Sequence, residues 1–440
     1  MRSNQIINKD MSLHKARWGW YLYDFGNSAY AAVVLLAVYS AYFKNAVVGG
    51  AEGSRLWGLS IGIAMLTVAV ISPFLGTLAD YAGIKKKFLF FFTSIACVFT
   101  GLLFFIQKGD VFTGMLFFIL AEIGYRSAQV FYNSLLPEIA EPDEMGKVGG
   151  KGWAIGSAGG IVCLLIALAL IQLIGGEFVI RSTFLITAVF FALSATPIFL
   201  WLKEKKNTNK LPAGTNYFSF ALERLKTTFK EIKRFRELVK FIIAYLVYND
   251  GIIMTLDFAA IIGAVLYGLN QQQLIIFMII VQFTSVAGAY IFGIFQDRIS
   301  SKYSLVIALV IMIASIIALL LNKTLTGFFI IGGVAGFALT GVQSVSRTFV
   351  GMLSPRNKTA EFYGFFALAG RSSSFIGPTV YGIIAAEFAL YYQKAGLSEI
   401  LAEQSGQKVA IMSIVVFLVI GFFLLMLVNE KKGKEASKIY

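Results

Sequence analysis

"GTLADYAGIKKK", residues 76–87, closes an apolar run of more than twenty residues, and "GIFQDRISSK", residues 293–302, closes another. Each sets an aspartate four residues after a glycine and places basic residues beyond it: Gly76, Asp80, then Lys85 to Lys87, and Gly293, Asp297, then Arg298 and Lys302. Both pairs are offset by 217 residues (293 − 76 and 297 − 80), and Pro137 and Pro355 repeat the offset at 218. A chain whose two halves echo one another at apolar-run boundaries reads as a duplicated bundle of membrane helices.

The rest of the 440 residues agrees. They are 58% hydrophobic and 14% charged, with mean hydropathy +0.75, outside the range of soluble domains. Runs long enough to cross about 30 Å of hydrocarbon as helices occur at 19–46, 56–79, 88–107, 111–136, 150–175, 178–202, 238–268, 272–296, 303–321, 325–350, 360–386 and 408–429. The prediction is an all-α membrane protein with twelve transmembrane helices in two pseudo-symmetric six-helix bundles. Alternating ten-residue strands of a barrel are absent from the sequence.

The net charge of +14 is distributed by topology. The termini and even-numbered loops hold most basic residues, eleven of them between 203 and 240, against Lys44, Arg55, Lys108, Arg181, Lys323, Lys394 and Lys408 on the other side. This positive-inside bias predicts cytoplasmic termini and needs no nucleic acid as partner. The first apolar run is too long for a cleavable signal and lacks a cleavage site. The expected location is therefore an integral protein of a bacterial inner membrane.

The polar bridge divides the chain into an N-terminal bundle (1–202), a basic linker (203–237), a C-terminal bundle (238–430) and a basic tail (431–440). Within the linker, Phe218, Leu222, Leu225, Phe229 and Ile232 share one helical face opposite Arg224, Lys226, Lys230 and Lys233. That pattern predicts an amphipathic helix on the cytoplasmic leaflet or on the ends of the bundle.

Polar residues inside the membrane are costly and mark function. On the first span Trp20, Asp24, Asn27 and Ser28 fall on one face; on the fourth, Glu122, Arg126, Gln129 and Asn133 do. The seventh carries Asp250 and Asp257, with Tyr245 and Asn249 nearby, and the tenth Thr340, Gln343, Ser344 and Arg347. Asp24 has no basic residue one turn away, which makes it a candidate proton carrier. Glu122 and Arg126 can neutralise one another as an i, i+4 pair or take part in binding or gating. Arg371 can meet a substrate carboxylate or pair with Asp250 or Asp257.

Other chemistries find no support. Cys97 and Cys163 lie in different spans, and His14, the one histidine, precedes the first. Neither a metal site, a cofactor site nor an enzyme's nucleophile and base is visible. "GKGWAIGSAGG" at 150–160 lacks the ending of a phosphate loop and has no strand before it. Its Gly152, Gly156 and Gly160 form a strip that lets helices approach closely, as do Gly370 and Ser374.

The stretch at 76–87 resembles the cytoplasmic loop motif of the major facilitator superfamily. It matches at Gly76, Leu78, Ala79, Asp80, Gly83, Lys85 and Lys86, and departs at Tyr81 and Ile84, where that family more often has arginine. The resemblance implies that Asp80, with Gly83 and Lys86, and by repetition Asp297 with Gly293 and Arg298, holds helix ends in one conformation of a transporter. "YDFGNSAY" (23–30), "YNSLLPEI" (132–139), "GKGWAIGSAGG" and "EFYGFFALAGRSSSFIGP" (361–378) together resemble the unknown-major-facilitator subfamily, whose relatives include fungal vacuolar amino-acid effluxers linked to autophagy. In the superfamily spans 1, 4, 7 and 10 line a central cavity. The resemblance therefore implies a secondary transporter of small solutes, first of all amino acids, working by alternating access and requiring no oligomer, with Asp24 the candidate to carry a coupling proton. An exporter of other metabolites or drugs on the same fold, and a transporter-derived scaffold or receptor, are the alternatives.

Overall fold

The computed structural model describes residues 2–140, 145–204, 223, 235–354, 366, 370 and 374–438. Among the described residues there is no strand, and eleven helices are long and apolar enough to cross a membrane. The helices are α1 (Arg2–Tyr30), α2 (Gly50–Ala82), α3 (Lys85–Leu102), α4 (Val111–Ser134), α5 (Met145–Leu173) and α6 (Glu177–Trp201). They continue as α7 (Arg236–Tyr267), α8 (Gln271–Arg298), α9 (Ser301–Leu321), α10 (Leu325–Leu353), α11 (Ile376–Lys394), α12 (Glu399–Met426) and a short α13 (Glu430–Lys438). Of the span expected over 360–386, residues 366, 370 and 374–386 are described, and those from Ile376 on begin α11. The amphipathic pattern in the linker and Arg371 also lie outside them.

Helix ends follow local chemistry. α7 stops at Gly268, whose φ of 66° is unstrained only for glycine. α8 then starts with a capping box, in which Asn270 accepts from the Gln273 amide and Gln273 accepts from the Asn270 amide. At the repeated loop the two halves use different devices. Gly83, at φ 60°, makes the turn between α2 and α3, whereas 217 residues later (300 − 83) Ser300 caps α9 by accepting from the Tyr303 amide at 3.2 Å.

The chain forms two compact units, Met1–Val47 with Val70–Phe218, and Val48–Ala69 with Ser219–Tyr440. In the first, α1 packs on α5 and α6, and α3 on α4 and α6. In the second, α7 packs on α11 and α12, and α9 on α10 and α12, the same scheme six helices later. The repetition extends to the helix ends. Glu204 accepts from the main-chain amides of Lys85 and Lys86 while Lys86 Nζ donates to the Leu202 carbonyl at 2.7 Å. In the second unit Glu430 accepts from the Lys302 amide while Lys302 Nζ donates to the Met426 and Val428 carbonyls at 2.9 and 2.7 Å. A carboxylate on a helix start and an ammonium on a helix end each complement the helix dipole and satisfy end groups that lipid cannot. Lys86 thus ties the start of α3 to the end of α6.

Residues Val48–Ala69, the first half of α2, belong to the second unit. There Trp57 Nε1 donates to the main-chain carbonyl of Asp257 at 2.9 Å. Tyr381 donates to Gln407 at 2.8 Å, and Gln407 in turn donates to Ser54 at 2.7 Å. All three are buried. Gly58 and Gly382 bring α2 and α11 into backbone contact, since a Cβ on Gly58 would collide with the Pro378 carbonyl and one on Gly382 would lie 2.7 Å from the Ser54 carbonyl.

Candidate functional site

The polar stripes of the first and fourth spans meet inside the first unit. Glu122, with no exposed surface, accepts from Arg126 Nε through Oε1 at 2.6 Å and from the Tyr30 hydroxyl through Oε2 at 2.9 Å. The Tyr30 ring stacks on Tyr125 at 4.5 Å between centroids, and the Arg126 guanidinium lies over that Tyr125 ring at 5.3 Å. The i, i+4 spacing therefore does make an ion pair, yet the pair is not self-contained, because a second helix supplies a donor to its carboxylate.

Asp24 is half-buried and interacts with Asn27 one turn on. The buried Asn27 keeps its Oδ1 without a hydrogen-bond partner among the described residues, as the Tyr132 hydroxyl does. Space for Asp24 comes from α5. A Cβ on Gly156 would collide with its carboxylate and lie 3.1 Å from Ser28 Oγ, and a Cβ on Gly152 would collide with the Trp20 ring. Trp20 is fixed by donating to the Tyr132 carbonyl at 3.1 Å and by stacking on the Tyr132 ring at 4.4 Å. Gly159, packed on the Phe25 main chain, continues the strip of Gly152 and Gly156. Gln129 is half-buried and Asn133 is exposed.

The second unit is arranged differently. Asp250 is buried and accepts from the main-chain amide of Gly377, in the first turn of α11, so its carboxylate meets the positive end of that helix. Its Oδ1 has no hydrogen-bond partner among the described residues. Asp257 is also buried, and its carbonyl holds Trp57. Asn249 reaches Ser374 at 3.5 Å, and Tyr248 bonds Ser346 at 2.7 Å. Gln343 and Arg347 are exposed. Of the residues expected at the repeated loop, Gly76, Asp80 and Asp297 have side chains outside the described set; Gly293 has open space around it and Arg298 is exposed.

Tyr30, Tyr125 and Tyr132 carry site contacts that polar patterning does not single out, because tyrosine is common at apolar positions. Their signal is present only in hindsight: Tyr30 is seven residues from Tyr23, and both face α4 or its neighbours.

The family model "Vacuole effluxer Atg22 like" matches residues 58–438. An uncharacterised MFS-type transporter of Bacillus subtilis, YxiO, is 30% identical over 431 residues, 95% of this chain and 96% of that protein. Autophagy-related protein 22 of Kluyveromyces lactis is 22% identical over 364 residues, 75% of this chain and 73% of the other. Among solved structures, a bacterial homologue of the human lysosomal transporter Spinster superposes with a TM-score of 0.72 at 15% identity, covering 98% of each chain. The nucleoside transporter NupG gives 0.65 at 14% identity over 94% of this chain and 98% of its own. The relatives and structural neighbours are transporters, and a chain so matched over nearly its whole length belongs to the Atg22-like family of membrane transporters, built on the major facilitator fold.

Proposed function

We propose that this chain moves amino acids across a bacterial plasma membrane by alternating access, with both termini in the cytoplasm, and that Asp24 lies on the transport path. The observation that carries the reading is the polar lining of one unit: half-buried Asp24 beside buried Asn27, whose Oδ1 has no hydrogen-bond partner among the described residues, and the Glu122–Arg126 pair on the fourth span. A zwitterion needs both signs, and such charges are kept inside a bilayer only where they serve a path or a pair. Asp24 is the proposed carrier of a coupling proton, and the duplicated scheme of helices supplies the two bodies that rock. Arg126 would meet the substrate carboxylate and Asp24 its ammonium group.

The test is counterflow. Purified protein in liposomes preloaded with unlabelled amino acids should accumulate at least one labelled amino acid, and Asp24→Asn, folded to the same extent, should not. Accumulation of none by the wild type would refute the substrate class; equal accumulation by Asp24→Asn would remove that residue from the path.

A further inference from the structure

We infer that Tyr30 is a positioning residue for transport: its hydroxyl, donated to the buried carboxylate of Glu122, fixes the direction in which Arg126 holds its guanidinium. The Glu122 carboxylate has one oxygen on each partner, Oε2 on Tyr30 at 2.9 Å and Oε1 on Arg126 at 2.6 Å. With Glu122 and Tyr30 both fully buried, water does not replace the Tyr30 donor. A carboxylate held by one bond can rotate about its last torsion, and its partner follows; held by two donors from two helices, it has one orientation. The ring contacts repeat the linkage, since Tyr30 stacks on Tyr125 and Arg126 lies over Tyr125.

The place of Tyr30 in its helix gives the linkage a further consequence. Tyr30 is the last residue of α1, and the chain then winds as a π-helix over Ala31–Ala37, in which Ala32, Val33, Val34, Leu35 and Ala37 are buried. The sequence there, AAVVLLA, contains no proline or glycine to break a helix. Such turns concentrate at functional sites. A change of winding at 31–37 pulls on Tyr30 first, and through Glu122 it reorients Arg126. The span whose Asp24 faces the path thereby also sets the presentation of the cation on α4.

The consequence for transport rests on the reading proposed above, but the geometry can be tested without any substrate. Wild type, Tyr30→Phe and Glu122→Asp, each in liposomes, are treated with phenylglyoxal, and modification of Arg126 is timed by peptide mass. Tyr30→Phe keeps the ring stack and removes only the hydroxyl; Glu122→Asp shortens the reach so that both donors cannot be met. Arg126 is expected to react about tenfold faster in Glu122→Asp, where it loses its own charge-assisted hydrogen bond, and at least about twofold faster in Tyr30→Phe, where only the carboxylate's second donor is lost. In counterflow, Tyr30→Phe should raise the half-saturating concentration of a carboxylate-bearing substrate while leaving the maximal rate within about twofold, a split that general loosening of the fold does not produce. Arg126 reacting at the wild-type rate in Tyr30→Phe overturns the inference whatever Glu122→Asp does, and if Tyr30→Phe fails to fold, Tyr30→Met, which also lacks the hydroxyl, decides it. Faster labelling in a protein that moves no amino acid would sustain the role of Tyr30 and refute the substrate class.

Discussion

Replacing Gln407 by leucine removes the middle of a relay of three buried side chains that joins α2, α11 and α12. In the native chain Tyr381 donates to Gln407 at 2.8 Å, and Gln407 donates to Ser54 at 2.7 Å. The residues are 0%, 1% and 0% exposed respectively, so the variant strands two hydroxyls where no water can reach them. An orphaned buried polar group costs about 1–3 kcal/mol. The two costs are unequal. Ser54 lies in a helix and can turn back to the carbonyl four residues earlier, whereas the Tyr381 hydroxyl has no such recourse. The lost bonds themselves count for less, about 0.6 kcal/mol each on average between membrane helices. Leucine recovers part through its apolar surface, which leaves an expected loss of about 2 kcal/mol. The assay is equilibrium unfolding from mixed micelles by titration with dodecyl sulfate. The discriminating variant is Ser54→Ala/Tyr381→Phe/Gln407→Leu, in which no polar atom is stranded; it should return to within about 1 kcal/mol of wild type, because removing both partners of a bond is nearly neutral. A triple variant as unstable as the single one, or a single variant indistinguishable from wild type, would refute the account of the relay.

Three further outcomes are expected. Gly156→Ala should abolish counterflow while keeping the fold, because the added methyl occupies the place of the Asp24 carboxylate. Gly58→Leu drives a side chain into the Pro378 carbonyl and should destabilise the protein by about 1–3 kcal/mol in the same titration, the usual cost of overpacking. Glu204→Gln and Glu430→Gln each weaken a helix cap at equivalent places in the two units, and each should cost about 1 kcal/mol, the losses adding in the double variant because the caps share no partner.

Long apolar runs, the basic bridge and the echo at 76–87 and 293–302 determine the helical membrane fold and its duplication, because a bilayer accepts little else than helices of about twenty apolar residues. The same logic identified Asp24, Glu122 and Arg126, since charge inside an apolar run is conspicuous in one dimension. Periodicity places residues on a face of their own helix and is silent about the neighbouring helix. That Asp24 is accommodated by Gly156, that Glu122 takes a second donor from Tyr30, and that Asp250 meets the first turn of α11 are decisions of packing between segments far apart in sequence. Lys86 and Lys302 show the division most clearly. Their charge is legible as topology, but their use as caps on Leu202 and on Met426 and Val428 depends on which helix ends the fold brings beside them. The π-helical turn at 31–37 has no signature in AAVVLLA, because winding within an apolar helix is set by the contacts around it rather than by the propensity of its residues.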